Sequence, residues 1–393
     1  MKFAGVTIVV PREIMAGEKR VAVVPETVKK FTEAGAKVIV ETSAGKDVYM
    51  DDEQYRAAGA EIAPGASELY SRAGLILKVK EPQLNKETGV HELELFPEGS
   101  VLACFLHPAN PLNHDMVKGL AGKNITSFTF DSIPRISRAQ QMDVLTSMST
   151  AAGYKAVINA ANHLPRFLPM IPTASGIVGP AQVLVVGVGV AGLQSLATAK
   201  RLGAKIKALD IRAEANEQAK SLGAEIVPFD LPEGMGIGEG GYACSLSEEW
   251  CDREKTALMP YVSSSDLIIL SALIPGEEAP ILLDQAMVGN MKKGSVIVDI
   301  SIDQGGNCSL SRHGEEYDYN GIFISGVANI PAYLPVDATK MLAQNVWFYL
   351  NHIVTDGKVV SDSADEIIVQ SLVTRGGKVV HEGTLKAFGS VRE

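Results

Sequence analysis

The sequence predicts an α/β protein made of two parallel-sheet domains. Three observations carry that reading. One phrase recurs: a helical stretch, a Gly-Ala pair, then a short apolar strand, as in FTEAGAKVIVE, YRAAGAEIA, KRLGAKIKALD and KSLGAEIVPFD. The phrase clusters near residues 30–63 and again near 195–230, which points to two domains rather than one long sheet. A glycine-rich turn at 187–192 lies between a strand pattern and a helix pattern. A length of 393 residues agrees, since ordinary domain sizes divide it into roughly two to three.

Taken in order, the opening MKFAGVTIVVPRE has one Lys and a short apolar stretch closed by Pro11. That is too short for a secretion signal and reads as a first strand. Gly35, Gly59, Gly203 and Gly223 stand where a helix would end on a left-handed residue, which Gly adopts without a Cβ penalty. SRAQQMDVLTSMSTAAGYKAVINAANHL predicts a long helix bridging the domains, and FLPMIPTASGIVGPAQ a Pro/Gly-rich connection into the second. Later strands are SDLIIL, GSVIVDI and GIFISGV. In DATKMLAQNVWFYLNHIV, Ala338, Met341, Leu342, Val346, Trp347, Leu350 and Ile353 fall at helical spacing. This last helix either packs back on the first domain or caps the second. The first choice gives one domain of 1–142 plus 336–393 and another of 143–335.

Composition excludes several classes. Hydrophobic residues at 46% and charged residues at 21% are ordinary for a globular chain and argue against disorder. A net charge of −10, with no run of Lys/Arg, excludes a general nucleic-acid binder. Cys104, Cys244, Cys251 and Cys308 contain no C-x-x-C and are too scattered for a disulfide framework, which fits a reducing compartment. No apolar run reaches the roughly 18 residues of a membrane span, so the chain reads as soluble. No Cys/His cluster has metal-ligand spacing.

Residues 182–210 read QVLVVGVGVAGLQSLATAKRLGAKIKALD. A run of β-type residues leads into Gly187-Val-Gly189-Val190-Ala-Gly192, and a helix follows. Gly187 permits the tight turn, Gly189 lets backbone approach a pyrophosphate, and Gly192 allows close helix–strand packing. The phosphates would sit on the helix N-terminus, where unsatisfied N–H groups and the dipole favour an anion. Asp210 ends the next strand, placed to accept hydrogen bonds from an adenosine ribose. Tight βα turns of this form also occur without a ligand; here strand, helix and terminal acid all agree, so NAD is expected. An acid at 210 disfavours a 2′-phosphate and hence NADP, while Arg212 either softens that preference or faces solvent.

With that fingerprint placed, the chain resembles the alanine dehydrogenase and NAD(P) transhydrogenase family along nearly its whole length. PRISRAQQMD (134–143), EGGYA (239–243), SALIPG (271–276) and GSVIVDI (294–300) are similar to the NAD(H)-binding alpha subunit, or first domain, of proton-translocating transhydrogenase. The resemblance implies two Rossmann-like domains around a cleft, a homodimer, and a first domain completed by the end of the chain. It implies that Arg135, Gln140 and Asp143 hold the nicotinamide carboxamide and ribose and align the ring. Thr146 supplies the hydroxyl that is often a Ser there. Taken alone, the segment from Arg135 to Asp143 is an ordinary solvated helix start. Ala272 and Leu273 of SALIPG would contact the cofactor. The stretch PFDLPEGMGIGEGGYACSLSEEW (228–250) has no apolar periodicity and reads as a long loop. By resemblance, residues 228–243 of it are a mobile loop that closes over nucleotide, with Gly241 and Tyr242 as contacts.

A second set matches the substrate pocket of alanine dehydrogenase: Arg20 in EKRVAVVP, Lys80 in LKVKEP, His107 in CFLHPANP, Asp303 in DISIDQGG and Asn329 in GVANIP. Arg20 and Lys80 would clamp a 2-oxo acid carboxylate and polarise its carbonyl. His107 would pass a proton to and from the substrate, Asp303 would orient ammonia or water, and Asn329 would line the pocket. Each also has an ordinary reading: a core histidine, a solvated strand end, a turn cap before Gly305-Gly306.

Three functions are therefore weighed. One is a transhydrogenase subunit exchanging hydride with NADP(H) on a partner subunit of a membrane-embedded assembly, which would put this chain on the cytoplasmic face of the inner membrane. Another is a free-standing amino-acid or 2-oxo-acid dehydrogenase using Lys80 and His107. The third is a non-enzymatic NAD sensor. The segment Arg135–Asp143 and the loop favour the first.

Overall fold

Gly35, Gly59, Gly203 and Gly223 all hold φ between +87° and +99°. Each follows the C-cap of a helix: Pro25–Glu33, Asp52–Ala57, Val190–Arg201 and Ala213–Ser221. The left-handed turn aims the chain back into a parallel strand, so the recurring Gly-Ala phrase is the repeat unit of the fold. The computed structural model describes residues 1–390 except 233, 239–242 and 275–277.

The chain divides into two compact units, Met1–Met148 with Ala332–Glu393, and Ser149–Pro331. Helix Val144–His163 carries the junction. In the first unit the sheet runs, from one edge, Glu61–Ala63, Lys37–Glu41, Thr7–Val10, Leu75–Leu77, Val101–Cys104 and Thr126–Thr129, all parallel. Leu372–Arg375 and Lys378–Val379 then add antiparallel at the far edge. The end of the chain thus contributes strands to this sheet as well as the helix Pro335–Ile353.

The second unit repeats the plan. Its parallel strands run Glu225–Ile226, Lys205–Leu209, Gln182–Val186, Leu267–Leu270, Val296–Asp299 and Ile322–Ser325, with Glu316–Tyr319 antiparallel at the edge. Val183, Val185, Leu267 and Ile269 pack on one face and Leu184, Val186, Ile268 and Leu270 on the other. Both faces are covered, which is why these strands read as continuous apolar runs. Both units have the Rossmann strand order, in which the sequence order reverses between the first and fourth strands. Ligands of such sheets bind beyond the carboxyl ends of the strands at that switch point.

Two local expectations are corrected. The loop expected over 228–250 ends earlier, because Glu248–Ser264 is a helix whose first turn carries Glu248 and Glu249. Acids there suit the helix dipole although the stretch has no apolar period. The connection FLPMIPTASGIVGPAQ contains a hairpin, Ile171–Thr173 against Gly176–Val178, turned at Gly176.

Candidate functional site

At the switch point of the second unit, two strand ends press together. A Cβ on Gly187, which has φ +84°, would strike the backbone of Ser271 and Ala272. A Cβ on Gly192 would strike the Gly187 carbonyl oxygen, and Ser271 Oγ donates to that same oxygen at 2.7 Å. Gly189 is different. It is the N-cap of helix Val190–Arg201, no side chain caps that helix, and a Cβ there would meet nothing within 4 Å. A tight turn, a close helix and an open uncapped N-terminus together fit a dinucleotide pyrophosphate.

Asp210 and Arg212 form a unit. Asp210 Oδ1 accepts from the Arg212 backbone N–H at 2.8 Å and from Nε at 2.9 Å. Oδ2 accepts from the Val188 N–H at 2.7 Å and Arg212 Nη2 at 2.9 Å. The expectation that Asp210 waits for a ribose is therefore corrected: its acceptor positions are filled from within the chain. Arg212 turns onto it because the two lie two residues apart at the end of a strand, where the bidentate fork fits.

The other side of the switch point is held by Asn307, which is fully buried. Its Oδ1 accepts from the Ala272 N–H at 3.0 Å, and its Nδ2 donates to the carbonyls of Ala272 and Pro280, both at 2.9 Å. One amide thus takes the place of a strand neighbour for the segment carrying Ala272 and the half-buried Leu273. Gly241 and Tyr242 lie outside the described residues. Asp303 and Asn329 are paired, with the Asn329 N–H donating to Asp303 Oδ2 at 3.1 Å, while Asp303 Oδ1 meets His313 at 3.3 Å.

The first unit has its own switch point, between Thr7–Val10 and Leu75–Leu77. Glu13 accepts from the Val79 N–H at 2.7 Å and lies 3.4 Å from the Lys78 ammonium, which also donates to Glu92 at 2.9 Å. Burial, only partly offset by Lys78, pushes the Glu13 carboxyl up to about 7. Burial opposes the charged form of Lys78, but Glu13 and Glu92 outweigh it and raise its pKa. This buried trio fixes the strand end, so that the next Lys in register, Lys80, is half-buried and makes no ion pair among the described residues.

His107 stands close enough to feel the charge of Lys80. Its ring Nδ1 is 2.8 Å from Asp131 Oδ1, and its backbone N–H donates to Asp131 Oδ2 at 2.8 Å. Burial works against the imidazolium, but Asp131 outweighs it and raises the pKa. Arg20 departs from expectation: its fork is closed on Glu18, at 2.8 Å from Nε and 2.6 Å from Nη2. A neighbouring acid two residues away is the nearest carboxylate for a buried guanidinium, and it takes the place reserved for a substrate.

The segment 134–146 also lies in this unit. Arg135 and Gln140 are exposed, and Arg135 Nε stands 4.0 Å from Asp143. Thr146 donates twice to the Asp143 carboxylate, from its N–H at 2.8 Å and its hydroxyl at 2.6 Å. Residues 137–142 form a 3₁₀ turn rather than the start of the long helix, which begins at Val144.

Comparisons with known proteins decide the family. The model described as alanine dehydrogenase/PNT, N-terminal domain, matches residues 9–152, and the corresponding C-terminal domain model matches 156–382. The chain belongs to the alanine dehydrogenase/PNT family. This is a family of oxidoreductases. The first part of NAD(P) transhydrogenase subunit alpha of Rhodospirillum rubrum, a separate chain there, is 43% identical over 378 residues, covering 95% of this chain and 97% of the relative. An alanine dehydrogenase of Methanococcus maripaludis is 32% identical over 390 residues, covering 96% and 95%. The crystal structure of transhydrogenase from Sinorhizobium meliloti superposes with a TM-score of 0.81 at 34% identity, covering 96% and 99%. The family fold of two Rossmann-like domains is the fold described above.

Within this family framework, sequence reasoning missed Asp131, Asn307 and Gly153. Asp131 follows the carboxyl end of a parallel strand, Thr126–Thr129, and that position alone marks it. Gly153 is an isolated glycine inside a helical pattern, which signals close packing. Its Cβ would strike the carbonyl oxygen of Ala191 in the first turn of the fingerprint helix. Nothing local marks Asn307.

Proposed function

We propose that this chain is the NAD(H)-binding subunit of an NAD(P) transhydrogenase, exchanging hydride with NADP(H) held by a partner subunit. The observation that carries this reading is 43% identity, over nearly the whole of both chains, to a protein named as the first part of subunit alpha of such an enzyme. NAD(H) supplies or takes up the hydride when bound. The uncapped helix at Gly189 receives the pyrophosphate, while Ala272 and Leu273 face the cofactor from the neighbouring strand end. Arg135, Gln140 and Asp143, with Thr146 fixing Asp143, hold the nicotinamide end, and loop 228–243 closes with Gly241 and Tyr242. Hydride passing between two nicotinamides neither consumes nor releases a proton, so this reaction needs no acid or base.

The chain then works as a homodimer beside membrane-embedded partner subunits, on the cytoplasmic face of the inner membrane. Among the described residues no helix is long and apolar enough to cross a membrane; in this reading the crossing belongs to the partners. Exposed Phe167, Met170 and Ile177, on and beside the hairpin at Ile171–Val178, support self-association.

One observation favours a second reading, an alanine-dehydrogenase-like activity on a 2-oxo acid. His107 is paired with Asp131 and stands near Lys80, the acid–base equipment that reduction of a carbonyl needs. A direct test mixes the purified chain with an NADP(H)-binding partner, NADH and an NADP⁺ analogue of distinct absorbance. Hydride exchange requiring both proteins is expected. Turnover of pyruvate and ammonia, or of glyoxylate, by the chain alone, lost in Lys80→Ala and His107→Ala, would replace this reading with the second.

A further inference from the structure

Helix Glu248–Ser264 carries one acid that nothing so far accounts for. Glu254 is 4% exposed, yet its carboxylate has no hydrogen-bond donor and no ion-pair partner among the described residues. Its neighbour Lys255 is engaged with Asp252 at 3.7 Å. Leu258 and Val262 continue the same face of the helix and pack with Val186 and Leu209, the residues just before Gly187 and Asp210.

Helix and strand lengths place Glu254 along the strands. The helix ends at Ser264, and the Asp266 N–H donates to the carbonyl of Gln182 at 2.9 Å, where the fingerprint strand begins. From Ser264 back to Glu254 the helix rises about 15 Å. From Gln182 to Gly187 the strand rises about 16 Å. Glu254 is thus level with the carboxyl ends of the strands, beside Asp210. Burial, together with the Asp210 charge, pushes its carboxyl up to about 7.

We propose that Glu254 is a second acid of the adenosine-ribose subsite, accepting from the ribose hydroxyls and turning away a 2′-phosphate. The proposal rests on the NAD(H) reading above. Arg212 neutralises Asp210 and fills its acceptor positions, so the Asp210–Arg212 pair has little net charge with which to repel a phosphate. An acid without a cation of its own does have that charge, and a buried acid without a donor gains one from a ribose hydroxyl.

The test compares NADH and NADPH binding to the full chain by fluorescence titration, for wild type, Glu254→Gln, Glu254→Ala and Glu254→Asp. Glu254→Gln keeps the shape and removes the charge. NADPH affinity should rise roughly tenfold with NADH affinity within about threefold, the effect of removing one nearby like charge in a partly buried site. Glu254→Asp keeps the charge and should keep the wild-type preference. An unchanged NADPH-to-NADH ratio in both Glu254→Gln and Glu254→Ala, with NADH bound normally, would overturn the proposal. A wild-type chain that binds neither nucleotide would overturn the cofactor reading itself, and this assignment with it.

Discussion

Asp131 holds His107 at two points, the ring Nδ1 and the backbone N–H, each at 2.8 Å. His107 sits at φ +44°, a region that residues other than Gly seldom adopt. The double grip keeps backbone and ring in one geometry. It also couples stability to pH. The His107 pKa is raised above its ordinary 6.5, so its contribution is complete below that value and is lost as pH rises through the raised one. Asp131 is depressed below its ordinary 3.8, because His107 outweighs the effect of burial, so its contribution is present above that value and lost in acid. Asp131→Asn should therefore melt well below wild type near about pH 6, with the gap shrinking by about pH 9. Melting temperatures at both pH values check this, and a gap independent of pH would contradict it.

Asn307 offers a sharper target in the other unit. Asn307→Ala leaves the N–H and carbonyl of Ala272 and the carbonyl of Pro280 without their partner in a fully buried place. An unmade buried hydrogen bond costs about 1–3 kcal/mol. A loss of about 3 kcal/mol in urea denaturation is expected, with weakened NADH binding, because Ala272 abuts Gly187. Equal stability to wild type would mean that water replaces the amide.

These two sites mark how far the sequence could be read. Gly187, Gly189 and Gly192 were legible because local backbone geometry demands glycine there, and a fixed spacing along one turn is visible in a string. The helix-ending glycines were legible for the same reason. Asn307 was not, since its partners at 272 and 280 are distant in sequence and only the fold brings them close. Arg20 and Asp210 were recognised as residue types but not as pairs. Whether a charge waits for a ligand or is satisfied by a neighbour depends on side-chain direction, which spacing does not encode. The antiparallel strands at the end of the chain are short and lack the long Val/Ile runs that revealed the parallel ones.

Gly153 lies where helix Val144–His163 crosses the start of the fingerprint helix. Ser195 Oγ donates to its carbonyl at 3.0 Å, which closes the contact. Gly153→Ala adds one methyl against the Ala191 carbonyl oxygen. Overpacking of this kind costs about 1–3 kcal/mol. Because the displaced element is the helix N-terminus itself, NADH affinity should fall together with stability. Calorimetric titration and denaturation of the same variant would expose a mismatch, such as lost stability with unchanged affinity.

The segment carrying Arg135 and Gln140 is tied down at two points of unequal strength. Arg138 Nη1 meets Asp365 at 2.5 Å, but the Arg138 side chain is half exposed, and surface pairs are worth about 0.2–1 kcal/mol. Asn345 is 9% exposed, donates to the Gln141 carbonyl at 2.8 Å and accepts from Ser147 Oγ at 2.6 Å. Removing it strands both partners, at about 1–3 kcal/mol each. Asn345→Ala should therefore slow hydride exchange about tenfold or more, while Arg138→Ala changes it about twofold or less. NADH affinity should stay near wild type in both, because the fingerprint turn lies in the other unit. Exchange rates at saturating NADH, beside NADH titrations, separate the two quantities. An Asn345→Ala chain that loses affinity but keeps its rate would show that the segment serves binding rather than alignment.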